Sequence, residues 1–119
     1  MTYQKTIGNL GEAIASDFLQ AKGYKYLDQH FTTPFGELDL VMKELDTIVF
    51  VEVKTRTSET FGLPEASVTP EKIQKLQKTG LLWLQANPDA PDDWRLDVVA
   101  VLLDRHKNIR DIHHFINIY

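Results

Sequence analysis

The stretch Phe35–Arg56 reads FGELDLVMKELDTIVFVEVKTR, and its alternation decides the fold. Two apolar runs rich in strand-forming residues flank the turn Glu44-Leu45-Asp46. They predict a hairpin of strands over 37–43 and 47–54. Successive side chains on a strand point to opposite faces. Leu38, Leu40 and Met42 are therefore expected on one face of the first strand, and Glu37, Asp39 and Val41 on the other. On the second strand Val49, Val51 and Val53 share a face, and Ile48, Phe50, Glu52 and Lys54 the opposite one. Once the two strands pair, Asp39 and the Glu52/Lys54 pair fall on one face near one end of the sheet. The near-continuous apolarity of 47–54 predicts a central strand covered on both sides.

Carboxylate oxygens are hard ligands that suit Mg²⁺, and a lysine beside them can hold a water or a phosphate oxygen. Asp39, Glu52 and Lys54 thus match the needs of metal-assisted phosphodiester hydrolysis. The same residue types also suit a partly exposed salt-bridge cluster at a sheet edge, and the residues alone leave both readings open.

Before this hairpin, residues 5–22 predict a helix, with Ile7, Leu10, Ile14 and Phe18 as its apolar stripe and Gly23 as its stop. Glu12 lies off that stripe, with Gly8, Ala15 and Leu19. It is either turned toward the sheet or a surface carboxylate near the positive helix start. Residues 24–32 predict a first strand, ended by Pro34-Phe35-Gly36. After the hairpin, residues 55–69 read as a loop dense in Thr, Ser, Gly and Pro. Arg56 opens it, as a phosphate contact or a solvated surface group. Thr69-Pro70 starts a helix running to Ala86, with Ile73, Leu76, Gly80, Leu81 and Leu84 expected in the core. Lys72, Lys75 and Lys78 make a basic band on it, either a solvated face or a phosphate-binding one. Trp94–Leu103 and Ile109–Tyr119 predict two further strands. Arg95 and Asp97 share a face of the first, as an ion pair supporting the sheet or a contact to the site. His106, His113 and His114 form no zinc pattern, since adjacent strand residues point apart. His30 stands isolated in the sequence, and all four histidines read as structural or surface residues.

The 119 residues suit one domain, 1–119. The chain has no cysteine, so disulfides and thiolate metal sites are excluded. No signal pattern opens it and no apolar run could span a bilayer, so the expected location is cytoplasmic and away from membranes. Its formal net charge of −4 argues against tight nucleic-acid binding. The distribution softens that argument, because Lys54–Lys78 carries five basic residues against three acids. No Gly-rich phosphate loop and no Ser or Cys nucleophile arrangement is present.

The element order predicts an α/β sandwich: a mixed sheet of about five strands with a helix on each side. The crossover from the Glu52 strand through the second helix should return a parallel neighbour.

Asp39, twelve intervening residues and then Glu52-x-Lys54 resembles the PD-(D/E)xK nuclease superfamily. The fuller pattern adds Gly8-x-x-Gly11-Glu12-x-x-Ala15, Gly36-Glu37-x-Asp39-Leu40, Phe61-Gly62, Val68-Thr69-x-x-Lys72 and Arg95-x-Asp97. Together these resemble the YraN-like family, whose fold is restriction-endonuclease-like and whose layout is similar to that of archaeal Holliday-junction resolvases. The resemblance implies a Mg²⁺- or Mn²⁺-dependent nuclease acting on DNA. Asp39 and Glu52 would hold the metal, with Glu12 completing the site and Lys54 orienting the attacking water. Arg56, Lys72 and Lys75 would hold the nucleic-acid backbone. By analogy with the resolvases it implies a homodimer and structure-selective cutting of branched DNA. Two alternatives remain: a module on the same scaffold that binds nucleic acid or protein without turnover, and a hydrolase of small phosphate esters.

Overall fold

The computed structural model describes residues 2–57 and 68–118. The Phe61-Gly62 element, most of the expected 55–69 loop and Tyr119 lie outside them. The elements run α1 (Tyr3–Ala21), β1 (Lys25–Thr33), β2 (Gly36–Glu44), β3 (Thr47–Thr57), α2 (Pro70–Ala86), β4 (Asp93–Leu103) and β5 (Ile109–Phe115). Their strands form one sheet in the order β1-β2-β3-β4-β5. β3 and β4 are parallel, and the other neighbours are antiparallel. This is the α/β mixed sheet between two helices that the sequence predicts. Among the described residues no helix is long and apolar enough to cross a membrane.

Both helices begin at a threonine cap. Thr2 accepts the Lys5 amide, and Thr69 accepts the Lys72 amide with Pro70 in the first turn, so each satisfies donors that the first turn leaves unpaired. Gly23, at φ +97, ends α1 in a conformation that glycine adopts without strain. α1 covers one face of the sheet, packing Ile7, Ala15 and Leu19 on Leu40, Met42, Val49, Val51, Val99 and Val101. α2 covers the other, packing Leu76 and Trp83 on Leu38, Val41, Ile48, Phe50 and Leu96. β3 is buried on both faces, which is why its sequence is nearly all apolar.

The helices approach the central strand closely. A Cβ at Gly11 would overlap the Thr55 side chain, and one at Gly80 would stand 2.6 Å from the Phe50 ring. The stripe of α1 buried deepest is Ile7, Gly11, Ala15 and Leu19, with Leu10, Ile14 and Phe18 at its margin. On α2 the expected core residue Leu81 is 49% exposed, and Thr79 and Trp83 are buried instead. The indole fills the space over Phe50 and donates to Asp28 Oδ2 at 3.0 Å, which turns Leu81 outward. β3 runs to Thr57, three residues beyond the expected end, because it stays paired with β4 up to Thr57↔Leu103. The last strand stops at Phe115.

One expectation about the hairpin fails. Leu38 does not share a face with Leu40 and Met42; it packs with Val41 and Phe50 on the α2 side. The alternation breaks at Asp39. There the β2–β3 ladder ends, at Leu40↔Val51. Opposite Asp39 on β1, between the pairs Gln29↔Leu40 and Phe31↔Leu38, stands His30 at φ 53, which is not a strand conformation.

Candidate active site

The break in the ladder builds a fork. β2 parts from β3 at Asp39, while β3 continues alongside β4. Asp39 does not leave the gap unbridged, because its Oδ2 accepts the Val53 amide at 2.8 Å. A cleft of about 550 Å³ opens at the fork, under the first turns of α1. Glu12, Asp39 and Glu52 all line it, together with Tyr3, Ile7, Gly8 and Arg56. Three acids far apart in the sequence are thus brought together by one helix and two diverging strands.

The acids are crowded enough to disturb one another. Burial pushes the Glu52 carboxyl up to about 8, helped by the hydrogen bond and charge of Asp39. Burial, then the charge of Asp39, pushes Glu12 up to about 7, against the pull of His30. Lys54 stands beside them with 12% of its side chain exposed, its Nζ 4.0 Å from Glu52 Oε1. Burial and the neighbouring Lys72 hold its ammonium below the ordinary lysine range. Such shifts arise when like charges meet in a partly dry place. Among the described residues, no group of three or more His, Asp or Glu side chains is already gathered into a set that could hold a metal.

Glu12 is turned partly away, to His30. The His30 Nε2 lies 3.0 Å from Glu12 Oε2, and its Nδ1 lies 2.7 Å from Glu37 Oε1. The hydrogen bond to Glu37 raises the imidazole pKa against the opposing effect of burial. His30, isolated in the sequence and half-exposed in the fold, is thus tied to two acids at the edge of the site. The β1–β2 turn contained the signal: counting back from the Thr33↔Gly36 pair sets His30 opposite Asp39. Tyr3 and Thr57 line the cleft without having been singled out from the sequence.

Of the expected phosphate contacts, Arg56 lines the cleft. Lys72, at the start of α2, lies close enough for its charge to act on both Glu52 and Lys54. Lys75 is exposed one turn further along α2. Lys78 turns to the Phe35 ring, 5.4 Å from its centroid. Arg95 and Asp97 are built into the sheet. Arg95 Nε donates to Asp97 Oδ1 at 3.0 Å, while its other nitrogens reach Glu44 and Tyr24. Asp97 is fully buried and also meets His114 Nε2 at 2.7 Å and the Asn117 amide at 2.9 Å. His113, the next residue along β5, is exposed and pairs with Asp111.

The sequence has relatives along most of its length. The family model described as "Uncharacterised protein family UPF0102" matches residues 11–101, which hold every expected site residue. The chain is 45% identical to a UPF0102 protein of Syntrophomonas wolfei, over 97% of this chain and 98% of that one. It is 43% identical to a UPF0102 protein of Syntrophus aciditrophicus, over 87% and 81% of the two chains. A UPF0102 protein of Vibrio campbellii is also 43% identical, over 92% and 88%. With identity at this level along nearly the whole length, the chain belongs to the UPF0102 family.

Proposed function

We propose that the protein is a Mg²⁺- or Mn²⁺-dependent nuclease that hydrolyses DNA phosphodiester bonds at the fork between β2 and β3. One observation carries this reading: Asp39, Glu52 and Glu12 converge on one cleft, with Lys54 at its side. Structure alone gains nothing from that crowding, since two of the acids are pushed toward neutrality by it. A divalent cation would reverse the penalty. The donor set fits Mg²⁺, which is normally held by one or two carboxylates plus waters and substrate phosphate instead of a closed protein cage. That preference accommodates the absence of a ready-made group of three ligands among the described residues. The PD-(D/E)xK resemblance of Asp39…Glu52-x-Lys54 points the same way.

In this reading Asp39 and Glu52 hold the cation, and Glu12 completes the site. The cation, once bound, supplies charge to the scissile phosphate and lowers the pKa of a water. Asp39, which lines the cleft, is fixed there by the Val53 amide. Lys54 holds the attacking water, and its lowered pKa brings proton exchange nearer neutral pH. Arg56 and Lys72 flank the acids as cations for the substrate backbone.

The test incubates supercoiled plasmid and a four-way junction with Mg²⁺ or Mn²⁺, using wild type beside Asp39→Ala and Lys54→Ala. Cutting by wild type alone supports the proposal. Equal cutting by all three would mean a contaminant. No cutting by any, with no Mn²⁺-dependent rise in melting temperature, would favour a binding module on this scaffold.

A further inference from the structure

The phosphodiester chemistry proposed above uses Lys54, the charges of Arg56 and Lys72, and the acids of the cleft. Much of the cleft lining has a different character: Tyr3, Ile7 and Gly8 from the start of α1, and Thr55 and Arg56 from the end of β3. Tyr3 keeps 57% of its surface exposed, so its ring face at the cleft is open to stacking. Lys107 reaches toward that ring from the β4–β5 turn, 5.9 Å from its centroid. Arg56 donates from Nη1 to the Thr55 carbonyl at 3.0 Å, which fixes its flat guanidinium at the cleft. Gly8 keeps the floor open, since a Cβ there would meet nothing within 4 Å. An aromatic face, a planar cation and an empty floor suit a flat, hydrogen-bonding ring. The cleft of about 550 Å³ has room for such a group beside the acids.

We propose that Tyr3 and Arg56 form a subsite for an unstacked nucleobase next to the acids. The preferred substrate is then DNA with unpaired bases at the cut, not continuous duplex. This inference rests on the nuclease reading and narrows its substrate class. A duplex keeps its bases inside the stack and cannot fill the subsite without flipping one out. A single strand, a flap or a branch point offers a free base at no such cost. Stacking on tyrosine and arginine is tolerant of sequence, because every base has a π face. The expected selectivity is therefore for unpaired structure and not for a base sequence.

The experiment measures binding by fluorescence anisotropy in Ca²⁺ buffer, with a labelled short oligothymidylate and a blunt duplex of equal length. Tyr3→Ala should weaken oligothymidylate binding by about 5- to 150-fold, the range one base–aromatic stack supplies, and leave the duplex unchanged. Tyr3→Phe should keep wild-type affinity, since the ring and not the hydroxyl is used. Gly8→Leu, which fills open space, should behave like Tyr3→Ala while melting normally. Equal weakening on both probes, or on neither, would overturn the subsite. The plasmid assay separates the two claims. Metal-dependent cutting without a Tyr3 effect removes the subsite alone. A Tyr3 effect without cutting leaves a base-binding cleft and removes the nuclease.

Discussion

Asp39 Oδ2 accepts the backbone amide of Val53 at 2.8 Å, across the gap where β2 has stopped pairing with β3. One carboxylate thus does two jobs: an oxygen closes the broken ladder, and the charge faces the cleft. Substitutions separate them. Asp39→Asn keeps a carbonyl oxygen for the amide and removes the charge, so its melting temperature without metal should equal or exceed that of wild type. Asp39→Ala leaves the amide unpaired and should cost about 1–3 kcal/mol. Both should lose the rise in melting temperature that Mn²⁺ gives wild type. A rise that survives in Asp39→Asn would remove this residue from the metal site.

The acids also set a pH dependence. Glu12 and Glu52 titrate at about 7 and about 8 in the fold, above the ordinary 4.5. From pH 4.5 up to about 8 the folded protein therefore holds more protons than the unfolded chain, and stability falls as pH rises. Asp97 works in the opposite sense. Burial raises its pKa, but the hydrogen bonds from His114, Arg95 and Asn117 outweigh that and set it below the ordinary value. Its contribution is present above the ordinary carboxyl pKa and lost as pH falls through the folded one. In metal-free buffer, urea denaturation should show stability declining from about pH 5 to about pH 8. Glu52→Gln should flatten the upper part of that decline, and an unchanged slope would mean that the crowding is relieved in solution.

How legible this was differs between fold and site. The sheet was readable because 47–54 is apolar on both faces and Thr69-Pro70 marks a helix start without ambiguity. Asp39, Glu52 and Lys54 were readable as a motif. The fork itself was not, because alternation assumes a regular ladder and cannot say where pairing stops. Leu38 was placed on the wrong face for that reason. His30 was missed because its link to Glu12 depends on β1–β2 register and a left-handed backbone, neither of which leaves a periodic trace. Trp83 escaped because a helical stripe gives an angle but not the partner, here Phe50 and Asp28, that decides which residue turns inward.

Away from the cleft, the Arg95–Asp97–His114 cluster ties β5 to β4 beneath α1. Asp97 is fully buried and each of its oxygens has a partner. Removing one member of a buried charged set strands the other, at a cost of about 3–5 kcal/mol. Asp97→Ala should show a loss of that size in urea denaturation. Its Mn²⁺ response should survive at temperatures where the variant is folded, since the cluster shares no residue with the cleft. A variant that keeps wild-type stability would show that His114 and Arg95 find other partners.

Two glycines three residues apart on α1 give the sharpest test of how the helix lies on the sheet. At Gly11 an added Cβ would overlap the Thr55 side chain; at Gly8 it would meet open space. Alanine at position 8 therefore keeps only the helix benefit of losing backbone freedom, and Gly8→Ala should stabilise by about 0.5–1 kcal/mol. Gly11→Ala gains the same benefit but must push α1 off β3, and overpacking of that kind costs about 1–3 kcal/mol. The shift would also carry Glu12, the next residue, away from Asp39. Gly11→Ala should thus lose both stability and Mn²⁺ response, whereas Gly8→Ala keeps the second and improves the first. Combining Gly11→Ala with Thr55→Gly should recover part of both losses, and urea denaturation of the full cycle measures that coupling directly. Strictly additive effects would mean that α1 does not cross β3 at these two residues.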